Sequence, residues 1–146
     1  MREDLDKQLC EKYPELFRDR NASMEVSPMH WGFECGDGWF SLIDHLCGCI
    51  QSYIDLNEKE QVIVSQVKEK FGTLRFYYDY GDDYIAGMVR FAEYQSGSIC
   101  EECGEPGTLD HSGWITCRCE KHRRKFNMAL SNNSSSPAPQ AGDAGA

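Results

Sequence analysis

Two short pairs of metal-ligand residues near the C-terminus constrain this chain more than anything else in it. Cys100 and Cys103 form a Cys-x-x-Cys pair; beyond an intervening loop, Cys119 and His122 form a Cys-x-x-His pair. A zinc ion takes four soft or borderline ligands in a tetrahedron, and two short pairs joined by a loop supply that geometry. Gly104 follows the first pair, where a tight turn would close. The spacing therefore predicts a structural Cys3His zinc site, with every coordination position filled by protein and none left for a reactive water. A site of that kind stabilises a surface and does not by itself make an enzyme.

Cys117 also lies close to His122, so either Cys117 or Cys119 can supply the third sulfur. The mirror-image spacing of the two pairs favours Cys119. Disulfides are the competing use of these cysteines, but a disulfide framework needs an oxidising compartment and is typical of short secreted chains. The opening MREDLDKQLC is charged and carries no apolar stretch of the signal-peptide kind. No apolar run approaches the length needed to span a membrane. Without an export signal, the glycosylation sequon at Asn21-Ala22-Ser23 carries no weight.

Ahead of the zinc motif, the hydrophobic pattern alternates between helical and strand periods. Leu5, Leu9 and Tyr13 share one helix face, ended by Pro14. Met29, Trp31, Phe33 and Cys35 alternate with His30, Gly32 and Glu34, the period of a half-buried strand. Gly36-Asp37-Gly38 breaks it. Ser41, with Asp44 three residues on, predicts a helix start, and Leu42, Ile43, Leu46, Cys47, Ile50 and Ile54 keep helical spacing behind it. Val62–Glu69 and Thr73–Tyr78 read as a hairpin turning at Lys70-Phe71-Gly72. Asp82 or Asp83 caps a helix from Tyr84 to about Gln95, with Ile85, Met88, Val89 and Ala92 inward.

This order predicts an α+β fold. A small antiparallel sheet, a strand plus a β-hairpin, packs with helices and is followed by a zinc-ribbon or knuckle-like module. Residues 1–98 form the body. Residues 99–126 form the zinc module, packed on the body through Trp114 and Ile115. The Ser/Ala/Pro/Gly-rich tail, 131–146, has nothing to bury and is expected to be disordered.

The net charge is −9, and the acidic excess lies in residues 1–98, while 99–125 balance. Acidic bodies repel phosphate. The basic run Arg123-Arg124-Lys125, at the last ligand of the zinc module, is the one candidate nucleic-acid contact; its plain alternative is a solvated helix flank. Catalytic candidates are sparse. Asp37, His30 and His45 are the acid and histidine residues of interest in the body, and nothing in their spacing links them. His-x-Glu, His-Glu-x-x-His, P-loop and dinucleotide motifs are all absent. A non-enzymatic role is the expectation. Cys35, Cys47, Cys49 and His30 are weak candidates for a second metal, since Cys47 and Cys49 point apart on a helix by about 200°.

Three stretches, WGFECGDGWFSLIDHLC, VKEKFGTLRFYY and CEECGEPGTLDHSGWITCRCEKH, resemble a family of small uncharacterised proteins of tailed bacteriophages and prophages. The likeness covers Lys12 to His122. Its Cys-x-x-Cys-Gly-x-Pro-Gly opening, Gly-Trp-Ile strand and Cys-x-x-His closure fall on Cys100, Cys103, Gly104, Pro106, Gly107, Gly113, Trp114, Ile115, Cys119 and His122. The resemblance thus implies Cys119 as third ligand. It also implies a phage accessory protein working in the cytoplasm of a bacterial host, and no particular activity. An acidic protein of that origin is expected to bind a host or phage protein, for instance to blunt a host defence. Tyrosines and carboxylates of Tyr77, Asp79, Tyr80, Asp82, Asp83 and Tyr84 supply the face that would meet it.

Overall fold

The computed structural model describes residues 1–133. Among the described residues, four α-helices and two small sheets build the expected α+β fold; the periodicities predict three of those helices, and the fourth follows the last metal-ligand pair. Helix α1 (Glu3–Lys12) leads, through irregular chain, to strand β1 (Phe33–Glu34) and helix α2 (Phe40–Asn57). Strands β2 (Ile63–Lys70) and β3 (Thr73–Asp79) form the hairpin, and helix α3 (Asp83–Ser96) follows. The C-terminal part comprises β4 (Thr108–Asp110), β5 (Thr116–Arg118) and helix α4 (Glu120–Asn133). Helix α4 takes in Ser131 to Asn133, the start of the expected tail; 134–146 lie outside the described residues.

The main sheet has the order β1-β2-β3. β2 and β3 pair antiparallel, and the hairpin closes with Lys70 opposite Thr73. Phe71 and Gly72 both have positive φ, 54° and 76°, as a two-residue type I′ turn requires. A bulge between Val64 and Gln66 shifts the register by one residue, which is how Val64 and Val67 both come to point into the core. β1 pairs with β2 in parallel, Phe33 opposite Val67, so α2 is the crossover of a β-α-β unit. The sheet is therefore mixed rather than wholly antiparallel.

The strand expected over Met29–Cys35 shrinks to Phe33–Glu34. Pro28 opens a 3-10 turn, Pro28–Trp31, whose N-cap Ser27 accepts from the Met29 amide at 3.2 Å. Gly32 then bends the chain at φ 75°; a Cβ there would lie 2.3 Å from the Asp6 carboxylate. Met29, Phe33 and Cys35 are buried, whereas Trp31 is exposed. The expected cap of α2 is also different. A 3-10 turn, Asp37–Trp39, feeds directly into α2, Ser41 lies inside the helix, and no side chain caps it. At α3 the expectation holds: the Asp82 carboxylate accepts from the Tyr84 and Ile85 amides, both at 3.1 Å.

The core lies between the sheet and helices α1, α2 and α3. Trp39, Leu9, Leu16, Ile43, Ile50 and Leu74 are among its fully buried side chains. Three polar devices border it. Asp6 and Arg20 form a forked ion pair at 3.0 to 3.3 Å, and Asp6 also accepts from the Phe33 amide. On β3, the outward amides of Leu74 and Phe76 donate to Ser96 Oγ (2.8 Å) and Glu93 Oε1 (3.0 Å) of α3. On β1, the N-terminal amino group donates to the carbonyls of Phe33 and Cys35. No helix among the described residues is long and apolar enough to cross a membrane.

Candidate metal centre

The first ligand pair sits in a knuckle held by backbone bonds. The Gly104 amide donates to Cys100 O at 2.8 Å and the Cys100 amide to Glu105 O at 2.7 Å. Gly104, at φ 79°, takes the left-handed conformation that closes such a turn at no Cβ penalty. The β4–β5 hairpin then carries the chain to Cys119, at the mouth of α4. The amides of His122 and Arg123 donate to Cys119 O, which fixes the first helical turn and brings His122 back over the knuckle.

The four expected ligands meet. Cys100 Sγ lies 3.5 Å from His122 Nδ1, Cys119 Sγ 3.3 Å from the same atom, and Cys103 Sγ 3.9 Å from Cys119 Sγ. All four ligand atoms fall within 4.8 Å of one another, a cluster that could hold one metal ion. Backbone donation from His122, joined by the neighbouring thiols and the Lys121 amide, draws the Cys119 pKa below its ordinary value, toward the thiolate that binds metals. Cys117 is outside the cluster. Its side chain is buried in β5, and burial pushes its thiol up to about 11.

The module is bolted to the body at a place the sequence pattern did not flag. The Gly38 amide donates to Glu101 O at 2.7 Å, the Gly36 amide to Glu101 Oε1 at 2.9 Å, and Trp39 Nε1 to Ile99 O at 3.0 Å. A Cβ on Gly38 would sit 2.1 Å from Cys100 O, and one on Gly36 2.3 Å from Glu101 O. The Gly-Asp-Gly segment is thus a close-packed seat for the knuckle as well as a turn. Burial raises the Glu101 pKa, and the Gly36 amide only partly opposes it. Trp114, expected at this contact, is instead 76% exposed. Ile115 does reach the body: with Leu109 it closes on Gly72 at the hairpin tip.

The other candidates are scattered. Asp37 binds the Arg2 backbone amide and guanidinium. His30 Nδ1 lies 2.8 Å from Ala22 O, and His45 is an exposed residue of α2. Cys35 and Cys47 are buried while Cys49 is exposed, and no second metal-ligand cluster occurs among the described residues. In the basic run, Arg124 pairs with Glu120 and Arg123 binds Thr108 Oγ1, while Lys125 is exposed beside Glu102, Arg118 and His122.

The acidic aromatic stretch does not form one face. Tyr77 lies over Lys68, on the side of the sheet opposite the buried Phe76. Tyr84 stacks on Tyr53 of α2, ring centroids 4.5 Å apart, on the helix side. Asp82 is engaged by Tyr53 Oη and Lys59 besides capping α3. Tyr80, Asp83 and Tyr84 remain exposed together around the start of α3, beside a pocket of ≈ 210 Å³ lined by Lys59, Glu60 and Ile85. No protein-family model, curated protein or solved structure matches the chain.

Proposed function

We propose that this chain is a non-enzymatic, zinc-stabilised binding protein whose partner is another protein. The observation that carries the proposal is the closed cluster of Cys100, Cys103, Cys119 and His122. Tetrahedral zinc, with Zn–S of ~2.3 Å and Zn–N of ~2.0 Å, sets sulfurs about 3.8 Å apart and sulfur to nitrogen about 3.5 Å apart. The S···S separation of 3.9 Å and the S···N separations of 3.5 and 3.3 Å fit that polyhedron. Three thiolates and one imidazole also suit zinc better than harder cations, which prefer oxygen. Zinc supplies a cross-link here: with four protein ligands it has no open position for substrate.

The partner-facing surface that the geometry supports best is Tyr80, Asp83 and Tyr84, with Asp79 beside them at the strand end. Exposed tyrosines over carboxylates suit a basic surface on the partner. Such a surface belongs to a host or phage protein if the likeness to phage-encoded chains is taken at its word, and a host defence component would then be met in the bacterial cytoplasm. The test has two parts. Elemental analysis of the purified chain should find one zinc per molecule. Capture from a nuclease-treated bacterial lysate should retain a protein that a Tyr80→Ala/Asp83→Lys variant, equally zinc-loaded, releases. Equal capture by both would refute the assignment of the surface; a folded, metal-free chain would refute the assignment of the metal.

A further inference from the structure

The hairpin register brings together a second surface whose charge runs against the rest of the protein. Lys68 and Arg75 are direct cross-strand partners, and Lys70 follows opposite Thr73. Val67 and Phe76, one residue along, are buried, so alternation places Lys68, Arg75 and Lys70 on the outer face of the sheet. Gln66 and Tyr77 pair on that same face. Like charges directly opposite one another destabilise a sheet, and here neither makes an ion pair among the described residues. Lys68 Nζ rests 5.4 Å from the centre of the Tyr77 ring. Arg75 Nη1 folds back onto Thr73 Oγ1 and Leu74 O. Among the described residues, none of Lys68, Lys70 and Arg75 makes an ion pair.

Two acids border the face. Glu34, paired with Lys68 across β1–β2, accepts from the neutral amide Gln66 Nε2 and keeps its charge, yet makes no ion pair with Lys68. Glu69 accepts from the Gly72 amide in the turn. Asp79, two residues beyond Tyr77 and so on the same face, forms its acidic end, away from the tip where the cations gather. Two aromatic rings border the cations. Tyr77 is 43% exposed, and Phe71 is 62% exposed at the tip. Phe71 holds a left-handed backbone conformation at φ 54°, which a bulky residue adopts at a cost of about 1–2 kcal/mol. A residue chosen only for that turn would be Asn, Asp or Gly. Lys70 Nζ lies 5.3 Å from the Phe71 ring centre.

From this juxtaposition we propose that the outer face of β2 and β3, through Lys68, Lys70, Arg75, Tyr77 and Phe71, binds single-stranded nucleic acid. Unpaired cations in a row match a phosphate backbone, and flanking aromatic rings match unstacked bases, the combination that single strands select. A duplex hides its base faces and offers phosphates alone. An acidic protein would also match the cations, and the polyglutamate competition below separates it from a single strand. The face is separate from Tyr80, Asp83 and Tyr84, and from the basic run at Arg123, so this inference stands or falls independently of the protein-binding reading.

The test uses the zinc-loaded full chain and fluorescence anisotropy with labelled oligothymidine of about twelve nucleotides, set against the same length of duplex. Binding should weaken with salt at a slope of about −2 in log–log form, from three phosphate contacts at about −0.7 each, and Arg75→Gln should flatten it by about 0.7. Tyr77→Ala should weaken binding about 5- to 150-fold, the loss of one base stack. Lys68→Gln should act as Arg75→Gln does, and Arg124→Gln, at a position already paired with Glu120, should change nothing. No anisotropy change at low salt overturns the proposal. So does equal affinity for duplex, or competition by polyglutamate with no effect of Tyr77→Ala, because either result makes the face a general polyanion or acidic-protein patch.

Discussion

Replacing Ser96 by alanine tests how the body holds the end of α3 from which the metal module departs. Ser96 and Leu74 are both fully buried. Ser96 Oγ accepts from the Leu74 amide at 2.8 Å and donates to Glu93 O at 2.6 Å. Alanine leaves the Leu74 N–H without an acceptor, in a place water does not reach. Stranding one such group costs about 1–3 kcal/mol. The better helix propensity of alanine returns a few tenths. The expected net loss is about 2 kcal/mol, close to a thirtyfold change in the folding constant. For 133 described residues, an unfolding entropy of about 2.1 cal/mol/K per residue converts this to about 7 °C in Tm. Ser98→Ala is the control. Ser98 Oγ makes the same kind of bond, to Gln95 O at 2.8 Å, but on the exposed surface, so its loss should stay under about 0.5 kcal/mol. Urea unfolding of both variants in excess zinc, at unchanged m, reads the difference. If the two serines prove equivalent, the Leu74 amide is satisfied some other way and the reasoning fails.

Other expectations concern the metal and the thiols. Cys103→Ser and Cys119→Ser should lose zinc in a chromogenic chelator assay, while Cys117→Ser should keep one zinc per chain and lose stability only, as a buried side chain outside the cluster. Gly38→Ala should lower zinc affinity without replacing a ligand side chain, because its Cβ must displace the backbone oxygen of Cys100 from 2.1 Å; overpacking of this kind costs about 1–3 kcal/mol, and competition with a chelator would measure it. Native alkylation of the zinc-loaded chain at pH 8 should label Cys49 first, because the other exposed cysteine, Cys103, belongs to the ligand cluster. Burial, reinforced by Asp6, pushes the Cys10 thiol up to about 12, and burial does the same for Cys35, so mass spectrometry should find these two unmodified until the protein unfolds. Arg20→Ala should destabilise by about 2–4 kcal/mol, since it leaves the buried Asp6 carboxylate without its cation and with only the Phe33 amide and Cys10 thiol as donors; an unchanged urea midpoint would show that those donors suffice.

Features decided within a few residues were legible in the sequence. The α3 cap at Asp82, the apolar face of α2, the turn at Phe71-Gly72 and the two ligand pairs each follow from local spacing. Where neighbours distant in sequence compete, local spacing misleads. Met29 to Cys35 alternates like a strand, yet Ser27-Pro28 starts a 3-10 turn and the Asp6–Arg20 pair presses on Gly32. Trp114 looked like a buried anchor, but the seat of the knuckle is Gly36 and Gly38, whose lack of side chains is what permits the approach. Glycine flanking a loop residue was the available signal, and it reads equally as a turn. Tyr77 and Tyr84 are close in sequence and part company because a strand ends and a helix begins between them. The opposition of Lys68 and Arg75 appears only once the pairing and its bulge are known.

The bonds from Leu74 and Phe76 to α3 carry a consequence for life in a crowded solution. A three-stranded sheet normally offers two open margins on which another chain can lay a strand, and a small mixed sheet is a ready template for fibrils. Here side chains of α3 occupy the β3 margin. Neither a second copy nor an extended peptide can add to β3 without first stripping them away. Self-association by strand exchange is thereby discouraged on that side, and a partner meeting it must be recognised through side chains displayed on the faces and loops, which leaves specificity in the hands of residues that can vary without endangering the fold.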